Sequence, residues 1–218
     1  MTASLWSALA LSLQVAFVST VLALPVATLL GYWLARARFA AKPLVELVLL
    51  LPLVLPPVVV GYGLLEIFGR RSSFAAMTGL ALPFTRGAAM LAAFVVGLPL
   101  FIMSARTAFM GLDERYEALA ATLGLSRIQA FLRVVLPMGL PGVLAGAVLC
   151  FARSLGEFGA TAVFAGNSEG ETRTLSLAVY ALLEAPEANI GAFVWTSVGL
   201  AAFCLLVYEG LVTWHRKR

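Results

Sequence analysis

The apolar positions of this chain come in long unbroken runs, and neither period-2 alternation nor a one-sided helical stripe describes them. Five runs cover residues 5–34, 44–68, 87–110, 139–164 and 192–212. A hydrocarbon core about 30 Å thick takes roughly 20 mostly apolar residues to cross as a helix. In lipid each backbone polar group must be satisfied within its own segment, so runs of this length are expected to be helices. The pattern predicts an all-α, polytopic transmembrane bundle of five spans, or six if residues 175–183 also cross. That stretch is short and flanked by Glu169, Glu171, Glu184 and Glu187, which favours an amphipathic helix at the outer surface. The first run would be about 45 Å long at 1.5 Å per residue, so it has to tilt, bend at Pro25 or project from the bilayer.

Composition removes the soluble alternatives. The chain has 218 residues, of which 61% are hydrophobic and 12% charged, and its mean hydropathy is +0.98. A soluble domain carries about a quarter charged residues. Five spans leave no room for a sizeable soluble domain, so residues 1–218 read as one transmembrane domain. Met1 to Ser4 holds no basic stretch ahead of the first apolar run, which is therefore expected to be a retained span and not a cleaved signal.

Charge then orients the bundle. Arg36, Arg38 and Lys42 lie in one connection, Arg106, Arg115, Arg127 and Arg133 around another, and Arg216, Lys217 and Arg218 in the tail; the opposite side holds Arg70, Arg71, Arg86 and Arg173. The excess of basic residues marks the cytoplasmic face, placing the N-terminus outside and the C-terminus in the cytoplasm.

Two of the runs are interrupted in ways that bear on function. The second contains LPLVLPPVVVGYG, with Pro52, Pro56 and Pro57 followed by Gly61 and Gly63. Regular helical hydrogen bonding cannot continue through it. A break at membrane depth persists where protein or a water-filled cavity satisfies the freed carbonyls, as in the discontinuous helices of transporters. Pro56 and Pro57 thus mark either a translocation path or a kinked packing helix.

The fourth run opens with Gly142, Gly146 and Cys150 at four-residue intervals, a ridge that lets another helix approach closely. It then carries Arg153 and Glu157 in FARSLGEFGATAVFAGN. A charge at the bilayer centre costs roughly 2.5 to 3.5 kcal/mol on insertion scales, so the two must pair or meet water. At i and i+4 they share a helix face. They could brace the bundle, gate or line a pore, or relay a proton through Glu157; the relay is disfavoured because the arginine holds the carboxylate ionised.

Between the third and fourth runs, GLDERYEALAATLGLSRIQAFLRVVLPMGLPG is too polar to cross and too well punctuated to be a linker. Asp113 is expected to cap a helix running to about Leu123, with Gly124 supplying the left-handed residue that ends it. Ser126 and Gln129 read as a capping box opening a second helix, which Pro137 is expected to end. Ala118, Ala120 and Ala121 would leave a slim face for another protein to approach.

Other chemistry is thinly represented. The sequence holds no phosphate-binding loop, no H-E-x-x-H pair and no G-x-S-x-G elbow, so energy from ATP would have to come through a partner. Cys150 and Cys204 lie in apolar runs without C-x-x-C spacing and read as packing residues, with no metal site expected. The single histidine, His215, reads as a surface residue of the basic tail.

At the polar loop the chain resembles a known family. Glu117, Ala118, Ala120 and Ala121, then Gly124, then Val134, Val135, Leu136 and Pro137 are similar to the EAA signature of bacterial ABC importer permeases, with Leu119 where a second alanine often falls. The spacing in EALAATLGLSR, the GETRTL run from Gly170 to Leu175, and LPLVLPPVVVGYG resemble the molybdate permeases in particular. The resemblance covers nearly the whole chain.

It implies a membrane subunit, not itself an enzyme, that carries molybdate across the bacterial cytoplasmic membrane. Tungstate or sulfate is the nearest alternative cargo, although sulfate permeases are usually longer. The implied partners are a second copy of the chain, ABC ATPase subunits that bind the ATP, an extracytoplasmic oxyanion-binding protein and the lipid bilayer; no cofactor in this chain and no nucleic acid are implied. The loop 111–137 would be the element that docks into the ATPase, with Arg115, Glu117, Ala118, Ala120, Ala121, Gly124, Leu136 and Pro137 as its residues and Arg115 and Glu117 supplying charge complementarity. Arg153, Glu157, Pro56 and Pro57 would line or gate the path, with Arg173 near its outer mouth. A carrier or intramembrane enzyme using Glu157 without ATP is the alternative from another class.

Overall fold

The computed structural model describes residues 2–79, 81–184 and 190–216, with side chains described from Ser4 to Thr213 within those ranges. The side chains of His215 and Arg216, the tail residues Lys217 and Arg218, and Glu187 therefore lie outside the described residues. All described regular elements are helical: α1 (Thr2–Arg36), α2 (Lys42–Val54), α3 (Pro57–Phe68), α4 (Ser73–Thr78), α5 (Arg86–Met110), α6 (Arg115–Thr122), α7 (Arg127–Ala130), a π-helical turn (Phe131–Val135), α8 (Leu136–Leu155), α9 (Gly159–Phe164), α10 (Leu175–Leu183) and α11 (Gly191–Arg216).

Among the described residues, four helical stretches are long and apolar enough to cross a membrane: Ser4–Arg36, Arg86–Met110, Arg127–Leu155 and Gly191–Thr213. Helix α2 and the segment from Pro57 onward, bent by 111° across a short break, make a fifth crossing if the pair is counted as one span. Pro52 is tolerated inside α2 and the chain breaks at Leu55 and Pro56, where the backbone is extended. The nine-residue α10 is too short to cross, about 14 Å at 1.5 Å per residue, and it packs on α1 and α11. Pro25 does not interrupt α1.

The bundle is built on α1, α5 and α8. The association of helices in lipid gains nothing from the hydrophobic effect, so close packing of small residues carries it. Ala88, Ala89, Ala92 and Ala93 of α5 are fully buried and pack with Leu11, Val15, Val60 and Phe164 in one half of the molecule. Phe101, Ile102, Phe109, Leu34, Val135 and Val143 form the core of the other half. Large apolar side chains on the outside, such as Trp195 and Leu206 of α11, are exposed, as lipid-facing positions require.

Two expectations about helix ends are corrected. Pro137 does not end the second loop helix: α7 runs through the π turn into α8, and Leu136 N–H reaches the Phe131 carbonyl five residues back. In a regular helix a proline clashes with the carbonyl four residues earlier, and the wider π turn just before Pro137 relieves that conflict. The fourth apolar run, in contrast, is not one helix. It stops at Leu155, passes through Gly156, Glu157 and Phe158, and restarts as α9. Ser176 Oγ donates to the Leu155 carbonyl at 3.4 Å, satisfying one acceptor freed by the break.

Candidate functional site

Two regions gather the residues singled out above. The first is the polar loop, whose turns are set by local chemistry. Asp113 Oδ1 accepts from Arg115 N–H at 2.9 Å, just ahead of α6. At the other end of α6, Gly124 has φ +81°; its N–H bonds to the Ala121 carbonyl at 3.0 Å and Leu125 N–H to the Ala120 carbonyl at 3.1 Å. These two hydrogen bonds around a left-handed residue make a Schellman ending, and a side chain at Gly124 would be strained there. The Ser126–Gln129 capping box is complete, with Gln129 N–H to Ser126 Oγ at 3.3 Å and Ser126 N–H to Gln129 Oε1 at 3.0 Å.

Long-range bonds fix this loop to the bundle. Glu117 Oε1 accepts from Arg36 Nε at 2.7 Å and Glu117 Oε2 from the Tyr32 hydroxyl at 2.8 Å. Arg36 Nη2 also donates to the Leu112 carbonyl at 3.2 Å. The Tyr32 ring packs against Phe109 of α5 and Phe131 of the π turn. Glu117 is thus turned inward and its carboxylate is used on α1. Ala120 is buried too, while Ala118 and Ala121 are exposed, so the slim alanine face is narrower than expected. Arg115 is solvated, with its guanidinium 3.9 Å from the Asp113 carboxylate. The outer surface of the loop is instead apolar: Tyr116, Leu119, Leu123, Ile128 and Leu132 are all exposed, Leu123 by 81%. Tyr116 and Leu119 of α6 and Leu123 at its C-cap fall at i, i+3 and i+7, a spacing that makes one stripe. That spacing was the available sequence signal for a docking face.

The second region is a pair of breaks packed on each other. Arg153 Nη1 and Glu157 Oε2 are 2.8 Å apart, and Glu157 Oε1 accepts the Ala160 N–H at 2.8 Å. Glu157 therefore both pairs with the end of α8 and receives the start of α9. Its side chain is 2% exposed, against 28% for Arg153. A carboxylate buried this deeply persists when paired and hydrogen-bonded, and both conditions are met. The second break, at Pro56 and Pro57, lies directly alongside. A Cβ on Gly159 would stand 2.9 Å from Pro57 Cβ, and one on Gly61 would stand 2.7 Å from the Ala160 carbonyl oxygen. The two broken helices touch backbone to backbone, which only glycine permits.

Arg173 is engaged within its own loop, with Nε on Asn167 Oδ1 at 2.9 Å and Nη1 on Glu169 at 3.3 Å. Cys150 and Cys204 are free thiols, both buried.

A polytopic helical bundle, a capped polar loop fastened beneath it and a broken helix pair narrow the comparison to membrane permeases. Residues 27–218 match the family model described as the binding-protein-dependent transport system inner membrane component. The chain belongs to this family.

The permease's relatives are close. It is 42% identical to the molybdenum transport system permease protein ModB of Escherichia coli K12, over 98% of this chain and 96% of that protein. It is 45% identical to ModB of Haemophilus influenzae, over 84% and 82% of the two chains. It is 39% identical to a putative molybdenum permease of Bacillus subtilis, over 91% and 89%. Its fold is that of solved ABC importers: the inward-facing MetNI methionine transporter (TM-score 0.69, 18% identity, 99% of this chain and 95% of that one) and a bacterial alginate importer (TM-score 0.72, 15% identity, 97% and 78%). The chain is accordingly a multi-pass inner membrane permease, the membrane subunit of an ABC importer.

Sequence reasoning missed Tyr32 and Arg36, the permease residues that hold Glu117. Both sit at the last turns of the first span, far from the loop in sequence, and carry no motif of their own.

Proposed function

We propose that this permease translocates molybdate, driven by ATP that a separate ABC ATPase binds and hydrolyses. The observation that carries the reading is the 42% identity, over nearly the full length of both chains, to a permease named for molybdenum transport. The loop's construction supports the coupling half of it. Nucleotide-driven motion in a soluble partner moves a membrane bundle only through a rigid contact, and residues 111–137 are held by the Asp113 turn bond, the Gly124 helix ending and the Ser126–Gln129 capping box, and are bonded to α1. The apolar stripe of Tyr116, Leu119 and Leu123, with Ile128 beside it, offers the buried centre of such a contact; Arg115 at its rim sets docking rate and register.

On this reading residues 1–218 form one transmembrane domain, and two copies enclose the path. The end holding Arg36, Lys42, Arg106 and the loop faces the cytoplasm, following the distribution of basic residues. An external binding protein delivers the dianion to the opposite end. The break around Pro56 and Pro57 and the break at Glu157 lie together where a path between copies would bend. Burial of Glu157 supports a bracing role for the carboxylate, and Arg153, the more exposed partner, is the side chain available to lower the barrier to an anion. Such a permease does no covalent chemistry. It alternates between two states, and each nucleotide state of the partner favours one by differential contacts.

The test is uptake of labelled molybdate into vesicles containing the permease, its ATPase and its binding protein, with tungstate and sulfate as competitors. ATP-dependent uptake suppressed least by sulfate is expected. Uptake that persists without the ATPase overturns the importer reading.

A further inference from the structure

A cluster of charges in the half of the molecule nearest the loop has no part in the sites above. Glu46 of α2 lies 3.0 Å from Arg106 Nη2 of α5 and 4.0 Å from Lys42 Nζ. These side chains are about three-quarters buried, at 22%, 26% and 24% exposure respectively. Ionisable residues within apolar spans are costly, and those that face the interior mark functional positions. The pair is also incompletely satisfied: it is close in distance, yet Glu46 Oε1 and Arg106 Nε both lack a hydrogen bond of good geometry.

The two partners differ in how firmly they are held. Arg106 stands on a fixed post, because α1 and α5 touch there so closely that a Cβ on Gly31 would meet Arg106 N at 2.9 Å. Helix α2 is the opposite case. None of its residues is fully buried, and it packs on α5 through one stripe, with Val45 and Leu49 flanking Glu46. Leu44, Leu47, Val48 and Val54 point away from the protein, Val54 with 82% exposure. Beyond Val54 the helix is interrupted, with extended backbone at Leu55 and Pro56. An incompletely hydrogen-bonded ion pair that joins a closely packed helix to one held along a single stripe, with a helix break at its far end, has the construction of a latch.

We propose that Glu46 and Arg106 are positioning residues that latch the inner half of the broken span, closing it against α5 in one transport state and releasing it in the other. The inference rests on the importer reading and adds the moving element. Arg106 lies one turn before the end of α5, whose last residue precedes Gly111 of the loop, so movement of the loop is delivered next to the latch. Release costs one imperfect ion pair and the apolar contacts of Val45 and Leu49.

The test uses the complete reconstituted transporter. Glu46→Arg alone and Arg106→Glu alone are expected to lower molybdate carried per ATP hydrolysed by about tenfold, a size typical of coupling between linked sites. The double exchange, which restores opposite charges, is expected to recover most of that ratio. Equal coupling in the single variants and the unaltered protein, or a double exchange as defective as either single, overturns the latch. Because reversed charges can impair insertion, a second measurement uses Glu46→Gln and the labelling rate of Leu49→Cys by a water-soluble maleimide. Faster labelling in the Glu46→Gln background, and on adding ATP to the unaltered pair, is expected; a rate indifferent to both overturns the proposal. Absence of ATP-dependent uptake in the unaltered complex would instead count against the importer reading itself.

Discussion

Glu117 Oε1 lies 2.7 Å from Arg36 Nε, so the acidic residue at the head of the loop motif is bonded to the first membrane span. The pair is only partly exposed, 16% for Arg36 and 28% for Glu117, and the Tyr32 hydroxyl completes the carboxylate. Its physical work is to hold the loop still. Arg36→Ala leaves Glu117 half-buried without its cation, which costs about 1–3 kcal/mol of local order. Limited trypsin cleavage at the exposed Arg115 should therefore speed up, by roughly tenfold for each 1.4 kcal/mol. Exchanging the two charges should slow cleavage again.

Gly124 tests the loop's other constraint. At φ +81° an alanine is strained by about 1–2 kcal/mol, while asparagine tolerates the left-handed region better. Binding of the ATPase to the permease in detergent should weaken in the order Gly124→Asn, then Gly124→Ala, with Gly124→Pro losing it.

The contact between the two broken helices gives a paired prediction in one helix. Gly61→Ala puts a methyl 2.7 Å from the Ala160 carbonyl oxygen, whereas Gly63→Ala meets nothing within 4 Å. Overpacking costs typically 1–3 kcal/mol, and alanine in place of glycine in a helix interior gains roughly 0.5–1 kcal/mol where there is space. Thermal unfolding in detergent should fall for Gly61→Ala and hold or rise for Gly63→Ala.

At the second break, Glu157→Ala removes the partner of Arg153 and the acceptor of the Ala160 N–H together. Breaking a buried pair from one side costs about 3–5 kcal/mol. The double variant Arg153→Gln with Glu157→Gln keeps hydrogen-bonding groups at both positions without a stranded charge, and should be clearly more stable than Glu157→Ala. If the double variant assembles and transports normally, Arg153 has no role in passage of the anion.

What could be read from the sequence was what depends on neighbours in the chain. The spans follow from apolar run length, and Ser126, Gln129 and Gly124 act within a few residues of themselves, so their turns were legible. The inward bond of Glu117 was not, since its partners Tyr32 and Arg36 arrive from another helix and the loop alone makes the carboxylate look free for docking. Pro137 misled because the π turn before it absorbs the conflict that would otherwise stop the helix. The break after Leu155 was hidden for a similar reason. Gly156 resembles any small residue of a packing ridge, and only the capture of the Ala160 N–H by Glu157 turns it into an interruption.

The most direct measurement compares ATP-dependent molybdate uptake by the complete transporter carrying the unaltered loop or Leu123→Asp. Leu123 is 81% exposed at the C-terminal end of the apolar stripe, so the substitution is expected to spare the fold while placing a charge in the proposed contact with the ATPase. The predicted result is uptake that requires ATP and the ATPase, lost in Leu123→Asp together with ATPase binding while the permease remains folded in the membrane. Equal uptake by both proteins, or uptake without the ATPase, would contradict it.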